Sequence, residues 1–250
     1  MTSRLSVDPV PRLTLLVAMQ AEADPLIGRL GLQPATAPWP RWAPCRLWHG
    51  IVQGCRVELL TAGRDERHDC DLIGTEPATL MASLAIAQLG ATLLASVGTA
   101  GGFKARGATV GTVYLSQGPF RYHGRHVPLP GLEDSVRGGY PSMDTTPWAR
   151  ALGLPQGSVS TGSSFARTEA ELVEILASGA VAKEMEAAAQ AWVAERAGVP
   201  FFAMKAITNL LDEPAASEDQ FPANLQAATA ALTDAVERLI RLLGEGIRDG

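Results

Sequence analysis

Short apolar runs alternate with helical patterns along most of this chain, and this alternation restricts the folds open to it. Runs with the length and apolarity of buried strands lie at 13–19, 46–51, 57–61, 91–97, 110–116 and 200–208. Helical patterns lie at 22–30, 76–89, 168–178, 184–197 and 223–244. The spacing of Thr168 and Glu171 is that of a capping box. Such alternation is typical of an α/β domain with a largely parallel sheet.

The length of the chain, 250 residues, is one at which many α/β folds form one domain. The first residues contain two prolines and no apolar periodicity, so we predict a flexible leader at 1–12 and a single domain at 13–250. Segments rich in proline or glycine at 33–46 and 120–145 are predicted to be loops.

Charge and cysteine usage exclude several classes of function. The formal net charge is −5 and no basic cluster is present, so we expect no nucleic-acid partner. Three cysteines without a CxxC pair argue against a disulfide framework and a zinc ribbon, and the four histidines have no metal-ligand spacing. We expect neither a metal nor an organic cofactor. The short apolar run at 13–19 resembles neither a signal peptide nor a membrane span, so we expect a cytoplasmic protein without a membrane partner.

Four predicted strands end in polar or glycine-rich segments, at 18–22, 98–102, 183–186 and 208–212. Binding sites of open α/β sheets gather at the carboxyl ends of the strands. Each segment alone is a weak signal, because glycines after a strand usually form only a tight turn. The four segments together predict a site that the whole chain assembles.

The order of several motifs resembles the nucleoside phosphorylase/nucleosidase superfamily, most closely the plant-type 5′-methylthioadenosine/S-adenosylhomocysteine nucleosidases. The motifs that carry this resemblance are AMQAEADPLIGRLGL, GRD, GTEPATL, GTAGGFKARGATVG, HGRHVPLP, STGSSF, KEMEAAA and KAITNLLD. The resemblance implies a three-layer αβα domain with a mostly parallel or mixed sheet. It also implies that the chain hydrolyses the N-glycosidic bond of a small purine nucleoside.

The resemblance assigns two carboxylates to this reaction. Glu22 matches the group that activates water, and Glu186 matches the group that holds the ribose hydroxyls. An ionised carboxylate accepts two hydroxyl donors, and its charge favours the cationic sugar of the transition state. Further substrate contacts are predicted for Thr99, Ala100, Gly101, Phe165, Glu184 and Met185. Phe165 matches a residue that stacks on the purine, or it is a plain core aromatic; the neighbouring Ser163 departs from an aspartate usual in the family.

The nucleophile is predicted to be water rather than phosphate. Phosphorylases of the superfamily use arginine to hold phosphate, because its planar fork suits that anion. Ser96 stands at the position of one such arginine. Arg64 lies near the other phosphate-binding loop, but the plant-type nucleosidases share its GRD motif.

Asn209 is the departure that matters most. The family's nucleosidases have an aspartate there, which acts as general acid toward N7 of adenine, and an asparagine amide can only form hydrogen bonds. Three explanations remain open: a 6-oxopurine substrate, as in futalosine hydrolases and some phosphorylases; replacement of the acid by Asp212; or a protein that binds a nucleoside without turnover. Residual hydrolysis of adenine nucleosides and phosphorolysis are further alternatives.

The segment RYHGRHVPLP contains His123 and His126, which are either exposed loop residues or part of an interface. By resemblance this loop crosses to the other subunit of a homodimer and closes its 5′-substituent pocket. Val127 is then among the apolar contacts.

Overall fold

Strands and helices alternate in the structure, a computed structural model that describes residues 10–213 and 217–245. The strands are β1 (Arg12–Val17), β2 (Gln33–Ala35), β3 (Arg46–Val52), β4 (Cys55–Thr61), β5 (Arg64–Asp65), β6 (Cys70–Asp71), β7 (Leu94–Gly102), β8 (Val113–Ser116), β9 (Phe120–Tyr122), β10 (Gly138–Tyr140), β11 (Gln156–Gly157), β12 (Val159–Thr161), β13 (Ala182–Glu184) and β14 (Phe201–Leu210). The helices are α1 (Gln20–Leu30), α2 (Thr75–Leu89), α3 (Glu133–Arg137), α4 (Thr146–Leu152), α5 (Glu169–Ala177), α6 (Ala187–Ala197) and α7 (Ser217–Glu245). Most of the predicted leader lies outside the described residues, but Arg12 already belongs to β1.

Twelve of these strands form one mixed sheet, with the order β10-β9-β12-β13-β7-β1-β4-β3-β2 along its main path. Strand β14 pairs with β7 and β8, and β8 also pairs with β11. The central pairs β1·β4, β1·β7 and β14·β7 are parallel, whereas β13·β7 and β14·β8 are antiparallel. The predicted α/β fold with a mixed central sheet flanked by helices is therefore confirmed.

Two hydrophobic layers cover the two faces of this sheet. Phe201 packs in the layer that contains Met81 of α2 and the alanines of α6. Its neighbour Phe202 packs in the layer that contains Leu26 of α1 and Leu239 of α7. Successive strand residues point to opposite faces, so β14 contributes to both layers. No helix within the described ranges combines the length and apolarity that crossing a membrane requires.

The segment 120–145 was expected to be a loop, and this expectation is wrong. It contains β9, α3 and β10, and β10 pairs antiparallel with β9. Phe120 and Tyr122 are buried on either side of exposed Arg121, an alternation typical of a strand. The many glycines and prolines of the segment hide this short pattern. Likewise α4, β12 and β13 were not predicted, and β2 lies in the expected loop at 33–46.

The glycines at 98–102 do not form the expected turn, because β7 continues through them to Gly102. A Cβ atom at Gly98 would lie 3.1 Å from Glu22 Oε1, and one at Gly102 would lie 2.9 Å from Ile207 Cδ1. These glycines therefore allow close approach of neighbouring groups rather than a change of chain direction.

Two helices begin at other residues than the sequence predicted. Helix α6 begins at Ala187 rather than at 184, because 182–184 pairs with β7 and β12 as β13. Helix α7 begins at Ser217, six residues before the predicted start, and continues through Pro222. The predicted capping box of α5 is present: Glu171 N donates to Thr168 Oγ1, and Glu171 Oε2 accepts from Thr168 N.

Candidate active site

A cavity of about 420 Å³ opens where β1, β7, β13 and β14 end. This is the edge at which ligands bind in α/β sheets. The residues that line it are Ala18, Met19, Glu22, Ile73, Thr99, Ala100, Gly101, Phe165, Lys183, Glu184, Met185, Glu186, Thr208, Asn209, Leu211, Glu218, Phe221 and Pro222. The set brings together nine of the ten site residues that the sequence predicts, and Val127 is not among them.

Glu22 stands in the first turn of α1 and is buried. Its Oε1 accepts hydrogen bonds from the backbone N–H and the hydroxyl of Thr99, both at 2.6 Å, and its Oε2 accepts from Met19 N–H at 3.3 Å. Burial raises the pKa of Glu22, while the bonds from Thr99 and the charge of Lys205 oppose this rise. The carboxylate is thus held in one orientation and has a higher affinity for a proton than an exposed one.

Glu186 is the residue immediately before α6 and is 9% exposed. Its Oε1 accepts a hydrogen bond of 2.9 Å from the backbone N–H of Gly74. Burial, together with the nearby charge of Glu184, raises the pKa of Glu186 to about 7. The group therefore changes charge near neutral pH.

Glu184 lines the cavity, but other groups of the protein already donate hydrogen bonds to both oxygens of its carboxylate. Oε1 accepts from the hydroxyl of Thr161, and Oε2 accepts from the backbone N–H groups of Glu186 and Ala187 at 3.0 and 2.8 Å. Lys205 Nζ lies 3.0 Å from the same Oε2. The burial of Lys205 opposes its charge, but Glu184, Glu186 and Glu22 together outweigh that effect and raise its pKa.

A β-bulge places Asn209 at the cavity. The register of β14 against β7 shifts between Ile207 and Asn209, so that Asn209 pairs with Gly101. Bulges of this kind change the direction of side chains. Asn209 Oδ1 accepts from the hydroxyl of Thr208 at 2.9 Å, and a Cβ atom at Gly101 would lie 3.1 Å from Asn209 Nδ2. The amide nitrogen, a hydrogen-bond donor, therefore lies over the backbone of Gly101.

Two aromatic rings form the outer part of the cavity. Phe165, 41% exposed, packs edge to face against Phe221 with ring centroids 5.4 Å apart. Lys183 Nζ donates to the backbone carbonyls of Ser164 and Phe165 at 2.6 and 2.9 Å, and this fixes the segment that carries Phe165. Phe165 thus lines the cavity rather than the hydrophobic core. Sequence reasoning missed Phe221 and Glu218, because it expected the last helix to begin only at 223.

A second, much smaller cavity of about 10 Å³ lies behind the first. Ala18, Glu22, Thr99 and Glu186 line both cavities. The walls of the small cavity otherwise include buried Ser96, Gln190 and Lys205. Among the described residues no partner is found for Ser96 Oγ or for either amide atom of Gln190. A polar space of this size holds about one water molecule.

Several singled-out residues lie outside the cavity lining. His123 is buried rather than exposed, its Nδ1 lies 2.9 Å from Ser160 Oγ, and burial lowers its pKa to about 4. His126 is exposed and lies within 3.7 Å of Glu133 and Glu174. Arg64 is bound to Asp69, with 2.7 Å between Arg64 Nη2 and Asp69 Oδ1.

The model of the phosphorylase superfamily matches residues 12–241 of this chain. The chain belongs to the phosphorylase superfamily. This confirms the resemblance that the ordered motifs predict. The match extends from the first residue of β1 into the second half of α7, and so includes every strand of the sheet.

Within the superfamily, the chain is similar to plant nucleosidases. It is 33% identical over 243 residues to the 5′-methylthioadenosine nucleosidase of Arabidopsis thaliana, which covers 96% of this chain and 91% of the relative. The 5′-methylthioadenosine/S-adenosylhomocysteine nucleosidase of the same plant is 32% identical over 233 residues, or 93% of this chain and 91% of the relative. The apo structure of the Arabidopsis 5′-methylthioadenosine nucleosidase has a TM-score of 0.91, at 33% identity, and covers 96% of this chain and 98% of that one.

Proposed function

We propose that this protein hydrolyses the N-glycosidic bond of a purine nucleoside. The observation that carries the proposal is the placement of two buried carboxylates, Glu22 and Glu186, on the wall shared by a nucleoside-sized cavity and a water-sized one. Similarity to plant nucleosidases over more than nine-tenths of the chain supports the same reaction.

In this proposal Glu22 is the general base. The small cavity adjoins its carboxylate and is suited to a single water molecule. The water oxygen forms a bond to C1′ of the sugar, its proton passes to Glu22, and the C1′–N9 electron pair leaves with the base. Three N–H and O–H donors from Thr99 and Met19 orient the carboxylate for this step. Its raised pKa strengthens it as a base.

Glu186 binds the ribose and stabilises the charge that develops on it. One of its oxygens accepts from Gly74 N–H, which leaves acceptor capacity for sugar hydroxyls. A negative charge in a buried site favours the cationic, oxocarbenium-like sugar far more than it would in water. Met185 and the backbone of Ala100 and Gly101 provide the adjoining wall.

The base lies over Gly101 and meets the amide of Asn209. As an N–H donor, this amide suits N7 of any purine and also O6 of a 6-oxopurine. Asp212 is unsuited to replace the missing acid, because its two oxygens accept from the backbone N–H groups of Lys104 and Ala105 at 2.8 Å each. The substrate is therefore a 6-oxopurine nucleoside, or an adenine nucleoside cleaved slowly.

Hydrolysis is favoured over phosphorolysis by the charges of the cavity. Among the described residues that line it, Lys183 is the one cation, and it is bound to two backbone carbonyls. By the family resemblance, Ser96 stands where phosphorylases have a phosphate-binding arginine, and Arg64 is engaged with Asp69. Arginine is the residue best suited to bidentate phosphate binding, and none of the described residues that line this cavity is an arginine.

A second candidate function is binding of a nucleoside without turnover, which Asn209 favours because it cannot donate a proton. Calorimetry distinguishes the two functions. A binding protein retains the nucleoside intact, whereas a hydrolase releases free base during the titration.

The assembly proposed for this chain is a homodimer in which Val127 closes the partner's pocket. Leu129 and Leu132 of the same segment are 56% and 47% exposed in the single chain. Exposed apolar residues of this kind are typical of a surface that a partner subunit covers. The three cysteines are free, which fits the reducing conditions of the cytoplasm. Sedimentation analysis tests the dimer, and Val127→Asp is expected to shift it toward monomer.

The experiment that tests the function is incubation with inosine, futalosine, methylthioadenosine and S-adenosylhomocysteine in phosphate-free buffer. We expect at least one of them to release its base. Failure of all four, or release that depends strictly on added phosphate, contradicts the proposal.

A further inference from the structure

Lys205 and Glu184 form a buried ion pair directly behind the candidate active site. Lys205 Nζ lies 3.0 Å from Glu184 Oε2, and the two side chains are 3% and 1% exposed. The chemistry proposed above uses neither residue. A buried ion pair contributes little net stability compared with apolar residues of the same size, so stability alone does not explain this pair.

The contacts of Glu184 show what the pair holds. Its Oε2 accepts from the first backbone N–H groups at the start of α6, those of Glu186 and Ala187, and its Oε1 accepts from Thr161. Thr161 Oγ1 in turn accepts from Ala188 N–H at 2.9 Å. A carboxylate at this place satisfies N–H groups that have no partner within the helix and complements the helix dipole. Lys205 provides the opposite charge beside this carboxylate, with Nζ 3.0 Å from Glu184 Oε2.

We propose that the Lys205–Glu184 pair is a positioning device for Glu186. It anchors the first turn of α6 to β13 and β14, and it thereby fixes the ribose-binding carboxylate relative to Glu22. This proposal rests on the proposed function. Both members of the pair are positioning residues, a role for Glu184 that differs from the substrate contact expected from the sequence.

The pair also acts on the charge of Glu186. The ionisable groups that face Glu186 are Glu184 on β13, Lys205 on β14 and Glu22 on α1, with Lys183 beside them. Glu184 favours the protonated form of Glu186, whereas Lys205 favours the ionised form. Removal of one member therefore shifts the titration of Glu186 in one direction, and removal of the other shifts it in the opposite direction.

The test is the pH profile of kcat/KM for the variants K205M and E184Q. We expect K205M to move the acid limb to higher pH by about one unit and E184Q to move it to lower pH. A rise of one unit from about 7 lowers the ionised fraction of Glu186 at pH 7 about fivefold. The double variant K205M/E184Q is expected to return the acid limb toward its wild-type position. K205R keeps the positive charge and is expected to leave the acid limb at that position. Shifts in the same direction, or no shift, overturn the proposal.

The matched control is R12M, which breaks a different ion pair, the partly buried Arg12–Glu58, at the far end of β1. There Arg12 Nη2 lies 2.9 Å from Glu58 Oε1. We expect R12M to lower the unfolding temperature without moving the acid limb. A variant that is merely less stable is therefore not expected to show the shift of the acid limb that K205M shows.

A stability measurement separates failure of this proposal from failure of the proposed function. If the wild-type protein releases no base, the proposed function fails. The pH dependence of the unfolding temperature, compared with and without E186Q in each background, then reports the titration of Glu186 by itself. The same two opposite shifts support the positioning device, and their absence overturns it.

Discussion

The amide nitrogen of Asn209 donates a hydrogen bond of 3.0 Å to the hydroxyl of Ser217, the first residue of α7. The end of the active-site strand β14 is thus tied to the helix that carries Phe221 and Glu218 into the cavity. Asn224 Nδ2 reinforces this link, because it donates to the carbonyl of Thr208 at 2.9 Å. These bonds hold the Asn209 amide where the leaving base is expected.

Asn209→Asp tests what this amide does. A protonated aspartate donates its proton to N7 of adenine, whereas an ionised one repels O6 of a 6-oxopurine. We expect the ratio of kcat/KM for methylthioadenosine to that for inosine to rise about 10²–10⁴-fold, the usual contribution of general acid catalysis. Ser217→Ala is the control, because it removes the tie and keeps the amide. An unchanged ratio in Asn209→Asp refutes the assignment of Asn209 to the base.

Glu22→Gln tests the general base. Glutamine has the same shape and still accepts from Thr99, but it cannot take a proton from water. We expect kcat to fall about 10²–10⁴-fold, with little change in the unfolding temperature. Asp24→Asn, on the exposed side of the same helix, is expected to leave kcat unchanged. Equal effects of the two substitutions would show that Glu22 has no catalytic role.

Glu186 predicts opposite pH dependences for activity and stability. Its pKa is raised from 4.5 to about 7 in the folded protein, so the folded state binds a proton more tightly than the unfolded state between these values. Stability is therefore expected to fall as the pH rises from 4.5 to 7, while activity rises as the carboxylate becomes ionised. Glu186→Gln should raise the free energy of unfolding at pH 8 by about 1–3 kcal/mol and abolish activity.

Thermal unfolding of both proteins at pH 4.5 and pH 8 checks this prediction. A stability difference that is the same at the two pH values contradicts it.

Gly162 is packed against a buried imidazole. A Cβ atom at Gly162 would lie 2.2 Å from Nε2 of His123. On the other side of the ring, Nδ1 of His123 is hydrogen-bonded to Ser160 Oγ. Gly162→Ala is therefore expected to lower the free energy of unfolding by about 1–3 kcal/mol, the usual cost of overpacking. Gly28→Ala, in a helix with open space around it, should instead stabilise by about 0.5–1 kcal/mol.

Denaturant unfolding measures both changes. The double variant H123A/G162A should lose less stability than the sum of the two single substitutions, since truncation of the ring makes room for the new methyl group. Strict additivity would show that the contact with His123 is not the cause.

The sequence predicts the central elements of the fold because their patterns are long. The runs at 13–19 and 201–207 are seven residues long with one polar residue each, and β1 and β14 lie where these runs are. Strands of two or three residues, such as β12, contain too few residues for any period to be visible. Their pairing with β9 and β13 depends on the rest of the sheet.

The resemblance of the motifs predicted the residues at the bottom of the cavity better than those around its opening. Thr99 lies within β7, and Glu22 and Glu186 follow β1 and β13 within a few residues, so that neighbours in the chain remain neighbours in space. Phe221 and Glu218 reach the cavity because α7 folds back over the end of β14, and no local pattern specifies such a return. The positive charge of Lys205 at the back of the site was missed for a different reason: it lies in the middle of an apolar run.

Strand β7 pairs with β14 along one edge, and on the other edge it pairs with β1 at 94–96 and with β13 at 101–102. We therefore expect the amide groups of β7 to exchange with solvent more slowly than those of the exposed segment around Phe165. On this basis, we expect the strand residues at the bottom of the cavity to keep their shape when a nucleoside binds, and the residues around Phe165 to adjust to it. A core mutation that weakens the sheet reduces the number of competent molecules in the sample, while those that remain folded retain their KM.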